Sequence, residues 1–329
     1  MSKTGWIILG ICLCVAFCIC AGLILAGRIA GFFLNGQKDT SVSSSTTKDY
    51  KDLNNDFSAD GLYSLQMKEL KKLNIDWISG SVTIELTDED RIRIREISDS
   101  GIKEKDALRY GVNGGTLRIQ ACKKGYVGKL PIKKLIVSLP RSLAADLKEC
   151  EIDTVSASVM TGNLDLDELE IDTISGQVNL SDTVAEEAQV ETVSGTVSLV
   201  DCAFASLRLE SVSGAAKIIG TAKKVKASSV SGELDFSLKS CKEIKVNTIS
   251  GSIILDLSDA PKELKIDTTS GSMQLTLPKD ASCVIDLDAM SGKLYLNEEA
   301  IASKKVTLGD GAAEYSIDSM SGSVHVFTK

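Results

Sequence analysis

The sequence IDTISG at residues 171–176 decides the fold, because close variants of it recur to the end of the chain. Counted from Ala157, which replaces the glycine in IDTVSA, the steps to successive glycines are 19, 19, 19, 18, 19, 20, 21 and finally 30 residues. A period near 20 residues is typical of stacked supersecondary units. The glycines of this ladder are Gly80, Gly176, Gly195, Gly214, Gly232, Gly251, Gly271, Gly292 and Gly322.

One repeat, DELEIDTISGQVNL at residues 167–180, shows how each unit is built. Leu169 and Ile171 alternate with acidic residues before the Ser-Gly pair, and Val178 and Leu180 alternate with polar residues after it. Strict alternation predicts strands with one buried face, joined at Ser-Gly by a tight corner. A leucine-rich repeat has a similar period, but its asparagine is missing here and the second half alternates as GxVxL. We therefore predict an all-β, single-domain β-solenoid of stacked coils, each about 19 residues long.

The chain divides into four segments. Residues 6–27 carry no charge over 22 positions, enough to cross a bilayer as a helix, so residues 1–34 are predicted to be an N-terminal transmembrane anchor. Residues 35–61 are rich in Ser, Thr, Asn and Asp and are predicted to be a flexible linker. Residues 62–150 are predicted to hold an irregular N-terminal cap and the first coils, and residues 151–329 the repeats of the solenoid.

The cysteines do not form a recognisable disulfide framework. Those in the predicted anchor are interpreted as apolar filler, with palmitoylation as the alternative; they are Cys12, Cys14, Cys18 and Cys20. The other five are odd in number and lie at different offsets from the ladder, which counts against an oxidising exterior; they are Cys122, Cys150, Cys202, Cys241 and Cys283. A short tail before a large domain still favours an extracytoplasmic solenoid on a single-pass anchor in the cell membrane.

Charge separates along the chain. Residues 91–141 contain 13 Lys and Arg against 4 Asp and Glu, whereas residues 142–329 contain 16 against 30. The basic residues can be read as the solvated face of an edge strand, where charge deters mispairing, or as a patch that binds lipid headgroups, anionic wall polymer or another copy of the chain. The candidate patch consists of Arg91, Arg93, Arg95, Lys123, Lys124, Lys133 and Lys134. Nucleic acid is not expected, because no aromatic platform accompanies these charges.

The sequence contains little that could support catalysis. The single histidine, His325, has no second histidine with which to bind a metal, and no P-loop, GxSxG, HExxH or CxxC motif occurs. The ladder serines recur too regularly to be nucleophiles and are interpreted as structural. We therefore expect no enzyme activity, no cofactor and no metal site.

A column of mostly acidic residues precedes the ladder. Stacked carboxylates repel one another, and calcium could relieve that repulsion. Ser228 and Asn247 interrupt the column, however, and the calcium-binding nonapeptide is absent, so turn capping by Asp and Asn is the simpler interpretation. The column consists of Asp153, Asp172, Glu191, Glu210, Ser228, Asn247, Asp267, Asp288 and Asp318.

The blocks KKLNIDWISGSVTIE at residues 71–85 and KKLIVSLP at residues 133–140, together with the anchor and the ladder, are distinctive as a set. Residues 62–329 resemble the bacterial family of domains of unknown function known as putative adhesins. The resemblance implies a β-solenoid at the cell envelope and supplies no catalytic or ligand residues. The alanine at position 157 and the stretched last repeat depart from the family pattern.

Two functions from different classes remain open. The first is a non-enzymatic, membrane-tethered surface-binding module or adhesin of the cell envelope. The alternative is a self-assembling structural or envelope-stress accessory protein, in which the basic cap of one chain meets the acidic rod of another. A polysaccharide-cleaving enzyme is disfavoured, because aromatic residues are sparse and scattered.

Overall fold

The computed structural model describes residues 53, 56–123, 126 and 129–329 of the chain. Within that part, no helix is both long enough and apolar enough to cross a bilayer. The transmembrane span that the sequence predicts at residues 6–27 lies outside the described residues, as does most of the predicted linker at 35–61.

The described chain is built almost entirely of strands. The N-terminal part contains a short 3₁₀ turn (Glu104–Asp106) and a four-residue helix α1 (Arg141–Ala144), with strands β1 (Leu62–Leu65), β2 (Lys72–Thr87), β3 (Ile92–Ile97), β4 (Arg109–Asn113), β5 (Thr116–Gln120) and β6 (Lys133–Pro140). The repeats contain β7 (Glu149–Gly162), β8 (Asp165–Thr173), β9 (Val178–Ser181), β10 (Val184–Thr192), β11 (Val197–Ser211), β12 (Ala216–Ser231), β13 (Leu234–Lys239), β14 (Glu243–Ser250), β15 (Ile253–Leu257), β16 (Glu263–Ser270) and β17 (Met273–Leu277). The C-terminal part contains β18 (Cys283–Ser291), β19 (Leu294–Leu296), β20 (Glu299–Ile301), β21 (Lys305–Leu308), β22 (Ala313–Ser321) and β23 (Val324–Thr328).

Each coil runs along a first face, turns at the Ser-Gly corner and continues along a second face. In the coil formed by β8 and β9, Leu169, Ile171 and Val178 point inward and are at most 1% exposed. Strands of neighbouring coils pair in parallel and in register, so that Ile171 lies between Ile152 and Val190. The buried side chains form one continuous core along the rod, which confirms the prediction of an all-β solenoid.

The Ser-Gly corner requires glycine because the coils approach each other closely there. A Cβ atom on Gly214 would lie 1.9 Å from the carbonyl oxygen of Gly195, and one on Gly195 would lie 2.0 Å from that of Gly176. The ladder serine at the same corner contacts the preceding coil: the hydroxyl of Ser213 donates to the carbonyl of Val193 at 3.3 Å. Alanine occupies position 157, where β7 runs unbroken through the corner.

The order of coils in the stack differs from their order in the sequence at both ends. Near the N-terminus, β2 lies between the coil formed by β5 and β6 and the coil formed by β7. Near the C-terminus, the coil formed by β22 and β23 lies between β16–β17 and β18–β19. The ladder glycines still form one column, in which Gly322 contacts Gly271 on one side and Gly292 on the other.

Antiparallel strands cover both ends of the stack. At the N-terminal end, β3 pairs with β6, β1 pairs with β3, and β4 pairs with β5. At the C-terminal end, β20 pairs with β19 and β21 pairs with β18. The 30-residue last step of the ladder is therefore explained, because the chain forms β20 and β21 before it returns as β22. Covered edges protect a solenoid from pairing with other chains.

Candidate binding surfaces

An exposed basic surface lies on the outer side of β3 and β6. Alternate residues of a strand point the same way, and Arg93 and Arg95 of β3 are both exposed, as are Lys134 of β6 and Arg91 just before β3. The strands are antiparallel, with Ile97 of β3 opposite Lys134. We call Arg91, Arg93, Arg95 and Lys134 the basic surface.

Two carboxylates offset part of this charge. Glu89 pairs with the Nε atom of Arg93 at 2.6 Å, and both side chains are about half exposed. A hydrogen bond from Ser58 and the nearby charge of Arg95 both lower the pKa of Asp60. Exposed ion pairs of this kind contribute little to stability and are screened by salt. A third exposed carboxylate, Glu85 of β2, accepts from the hydroxyl of Ser138, which lies opposite Arg93, so the four cations of the surface outnumber these three carboxylates.

Lys133 does not belong to this surface, and its prediction as part of the patch is wrong. Its side chain is 2% exposed, and its Nζ atom lies 2.5 Å from a carboxylate oxygen of Glu96. The same ammonium donates to the carbonyls of Asp106 and Ala121 and lies 5.1 Å from the centre of the Trp77 ring. The reason is strand alternation: position 133 falls on the inward side of β6.

Lys123 and Lys124 are the other two predicted members. Lys123 is exposed in the segment that follows β5, and Lys124 lies outside the described residues. The structure therefore brings together Arg91, Arg93, Arg95 and Lys134 and separates Lys133 from them.

The predicted acidic column is present on the outer side of the first face. Its members pair coil by coil, and the order at the C-terminal end follows the stack, from Asp267 to Asp318 to Asp288. The column also extends upstream, because Asp153 pairs with Asp76, and Asp76 accepts a hydrogen bond from the Nε2 atom of Gln120 at 3.0 Å.

At three corners, the residue that follows the acid caps the turn. The N–H of Gly176 donates to the hydroxyl of Thr173 at 2.9 Å, that of Gly195 to Thr192 at 2.8 Å and that of Gly214 to Ser211 at 2.9 Å. Capping by the acids themselves stays a prediction. The regular Thr or Ser three residues before the glycine was the available signal in the sequence.

Burial changes the ionisation of three of these acids. Together with the neighbouring carboxylates of Asp76 and Asp172, it raises the pKa of Asp153 to about 8. It also raises the pKa of Asp76 and of Asp318. A carboxyl with a pKa near 8 holds its proton at neutral pH, which relieves the repulsion between stacked acids.

The acids are partly buried because a column of apolar side chains flanks them. Val155, Ile174 and Val193 occupy the position two residues after the acid and are half-buried. This column remains in register, since the N–H of Ser175 donates to the carbonyl of Val155 and that of Ser194 to the carbonyl of Ile174, both at 2.9 Å. Apolar neighbours remove water from a carboxylate and favour its neutral form.

Three other features of the described residues bear on catalysis or metal binding. Among the residues that the structure describes, no three His, Cys, Asp or Glu side chains are arranged to hold a metal ion. His325 stacks on Tyr295 with ring centres 4.5 Å apart. A shallow groove of about 580 Å³ on the second face is lined by a mixture of polar and apolar residues, among them Asn163, Asn179 and Met160.

The five cysteines outside the predicted anchor are free and buried. Burial raises the pKa of the Cys150 thiol to about 12 and that of Cys241 to about 11. Thiols with such pKa values are poor nucleophiles at neutral pH, so these side chains serve as small apolar residues of the core.

Comparison with known proteins identifies the family. The profile described as Toastrack DUF4097 matches residues 70–327, and among curated proteins none matches the chain. One similar solved structure is a "putative lipid binding protein" from Parabacteroides distasonis ATCC 8503, with 17% identity and a TM-score of 0.50, covering 82% of this chain and 96% of that one. Another is a "putative adhesin" from Parabacteroides merdae ATCC 43184, with 14% identity and a TM-score of 0.45, covering 80% and 95%.

At 17% identity, the match to the Parabacteroides distasonis structure shows similarity of fold and nothing about ligands. The family match spans most of the chain and confirms the resemblance to a domain-of-unknown-function family that the repeats indicate. The chain belongs to the Toastrack DUF4097 family.

Proposed function

We propose that the chain is a non-enzymatic, membrane-tethered β-solenoid that binds an anionic surface at the cell envelope, with its solenoid on the extracytoplasmic side. The observation that carries this proposal is the basic surface, where Arg91, Arg93, Arg95 and Lys134 are exposed together on an otherwise acidic molecule. Clustered cations attract polyanions and anionic surfaces over a distance of about 8–10 Å at physiological salt.

The position of the basic surface supports tethered binding. It lies at the end of the rod where the described chain begins, because β1 (Leu62–Leu65) pairs with β3. A linker and anchor at residues 1–61, as the sequence predicts, would attach this same end to the membrane. The basic surface would then face the layer of anionic material next to the bilayer.

Charge reversal tests this proposal. The full chain in an uncharged detergent is passed over immobilised poly(glycerol phosphate), a polyanion of the wall-polymer class, at low salt. The Arg91→Glu/Arg93→Glu/Arg95→Glu variant is expected to lose retention, because its surface becomes negative and repels phosphate. Retention of the wild-type chain is expected to fall as salt is added.

A matched control separates the surface from overall charge. Lys223, Lys224 and Lys226 are three exposed lysines in the middle of the rod, and reversing them changes the net charge by the same amount. The control variant is expected to retain most of the binding. Equal losses in both variants, or none in either, would show that the basic surface is not the binding site.

Self-assembly is the second candidate, because the first face carries rows of carboxylates whose negative charge is complementary to the basic surface. Glu168 and Glu187 are exposed on neighbouring coils of that face and lie directly opposite each other. Sedimentation of the same variants distinguishes the candidates. Salt-sensitive oligomers of the wild-type chain, lost in the arginine variant, would favour assembly over binding to an external surface.

A further inference from the structure

We infer that the basic surface docks on a bilayer that contains anionic lipid, with the apolar side chains of Leu62 and Ile132 entering the interface between headgroups and acyl chains. This inference rests on the proposed function and names its partner. It rests on apolar residues that lie among the cations. Binding to a soluble polyanion would leave these residues in water.

The apolar side chains alternate with the basic ones on the same outer side. Leu62 of β1 is 42% exposed and lies opposite Arg95 of β3. Ile132, just before β6, is 73% exposed, more than any other large apolar side chain in the described part of the chain. Two residues further on, Lys134 is exposed and lies opposite Ile97 of β3.

The same side also holds half-buried apolar residues. Ile136 of β6 lies opposite Arg95, and Ile97 closes the row at the end of β3. Arg95 and Lys134 therefore have apolar neighbours across the strand, whereas Arg93 lies between Ser64 and Ser138. Binding to a wall polymer would require only the cations. It would not explain why apolar side chains lie beside them.

A bilayer surface satisfies both kinds of side chain. Its headgroup layer is negatively charged and attracts nearby Lys and Arg side chains. Apolar side chains next to them gain by leaving water for the acyl boundary. Long basic side chains can lay their methylene stems on apolar neighbours while their charged ends reach the headgroups.

Proximity makes weak docking effective. A flexible linker of the predicted length, residues 35–61, would have a root-mean-square span of about 30 Å. A patch within that distance of its own membrane experiences a high effective concentration of lipid, so that modest contacts suffice. The patch lies beside β1, the first strand after the linker.

The experiment places a fluorescent probe on the patch of the full chain. Ser64 is exposed on β1 opposite Arg93, and a Ser64→Cys variant, with the four anchor cysteines replaced by leucine, accepts an environment-sensitive nitrobenzoxadiazole label. The chain is reconstituted in vesicles of phosphatidylcholine alone or with phosphatidylglycerol. We expect a several-fold rise in emission with a blue shift only in the vesicles that contain phosphatidylglycerol. The same label at Gln274→Cys, on the second face near the other end of the rod, is expected to show no change between the two vesicles.

Two further variants make the outcome decisive. Leu62→Ser/Ile132→Ser, at exposed positions that leave the core intact, is expected to remove most of the signal at position 64 and to keep retention on poly(glycerol phosphate). The arginine-to-glutamate variant is expected to lose both. No lipid-dependent signal in the wild-type background, with polymer retention intact, would overturn the lipid inference and leave the proposed function standing. A wild-type chain that shows neither the lipid-dependent signal nor retention on the polymer would overturn both the lipid inference and the proposed function.

Discussion

Replacing Gly214 with alanine is expected to lower the free energy of unfolding by about 3 kcal/mol or more, at the upper end of what overpacking costs. The added Cβ would lie 1.9 Å from the carbonyl oxygen of Gly195, far inside van der Waals contact. The clash is with backbone that hydrogen bonds to coils on both sides, so it cannot be relieved by rotating a side chain. Urea denaturation followed by circular dichroism measures the change.

Ala157→Gly is the matched control in the same column. Alanine at position 157 is already accommodated and fully buried, so its removal is expected to cost no more than roughly 1 kcal/mol through lost burial and a more flexible unfolded chain. A Gly214→Ala protein as stable as the wild type would contradict the close approach of coils at the Ser-Gly corner.

Lys133→Met is expected to destabilise the N-terminal end by about 3–5 kcal/mol, the cost of leaving a buried partner charge uncompensated. Glu96, whose side chain is 0% exposed, would lose the ammonium 2.5 Å away. Burial already raises the pKa of the Glu96 carboxyl, and Lys133 opposes that rise. Without Lys133 the pKa rises further, so the loss of stability is expected to be largest at high pH and to shrink as the pH falls and Glu96 takes up a proton.

Two comparisons isolate the buried pair. Lys134→Met, at the exposed neighbouring position, is expected to change stability by less than about 0.5 kcal/mol. Adding Glu96→Gln to Lys133→Met is expected to recover much of the loss, because the amide oxygen can still accept from the N–H of Leu108 as the carboxylate does at 3.0 Å. A Lys133→Met protein as stable as Lys134→Met would mean that the ion pair is absent or open to water.

Alternation and period were sufficient to predict the coils. Inward residues such as Ile171 and Val178 follow directly from the spacing, and the need for glycine at the corner follows from its repetition. The position of Lys133 was also readable, since Leu135 and Val137 fix which side of the strand is buried. The count of positive charges concealed this, because a net charge does not distinguish the two sides of a strand.

The order of the end coils could not be predicted from the repeats. Each coil presents nearly the same edge, so that β16 (Glu263–Ser270) would fit β18 (Cys283–Ser291) as readily as β22 (Ala313–Ser321). The 30-residue last step was the sole signal, and it does not say where the chain returns. The second corner of the coil was missed as well. Its left-handed residues, such as Asn163 and Asp182 with φ of 58° and 47°, follow the second-face strands as Asn, Asp or Ser.

The candidate site was predicted in part. Arg91, Arg93 and Arg95 were recognised by their charge, whereas the apolar residues beside them were not, because Leu62 and Ile132 are distant in sequence and meet only through strand pairing. The acidic column was recognised, but the Thr and Ser residues beside it that cap three corners were not. Its partial burial depends on Ile174 and its counterparts, whose outward position only the structure shows.

In-register stacking of coils, with the C-terminal coil next to last, is the central claim, and engineered disulfides test it most directly. Position 269 lies opposite position 320 in the next coil, and position 320 lies opposite position 290. Neighbouring strands are about 4.8 Å apart, within disulfide range, whereas strands two coils apart are about 10 Å away and are not. Thr269→Cys/Met320→Cys is therefore predicted to form a disulfide under mild oxidation, and Thr269→Cys/Met290→Cys is predicted to stay reduced. Cross-linking of positions 269 and 290 without cross-linking of 269 and 320 would show that the coils stack in chain order and would contradict the account.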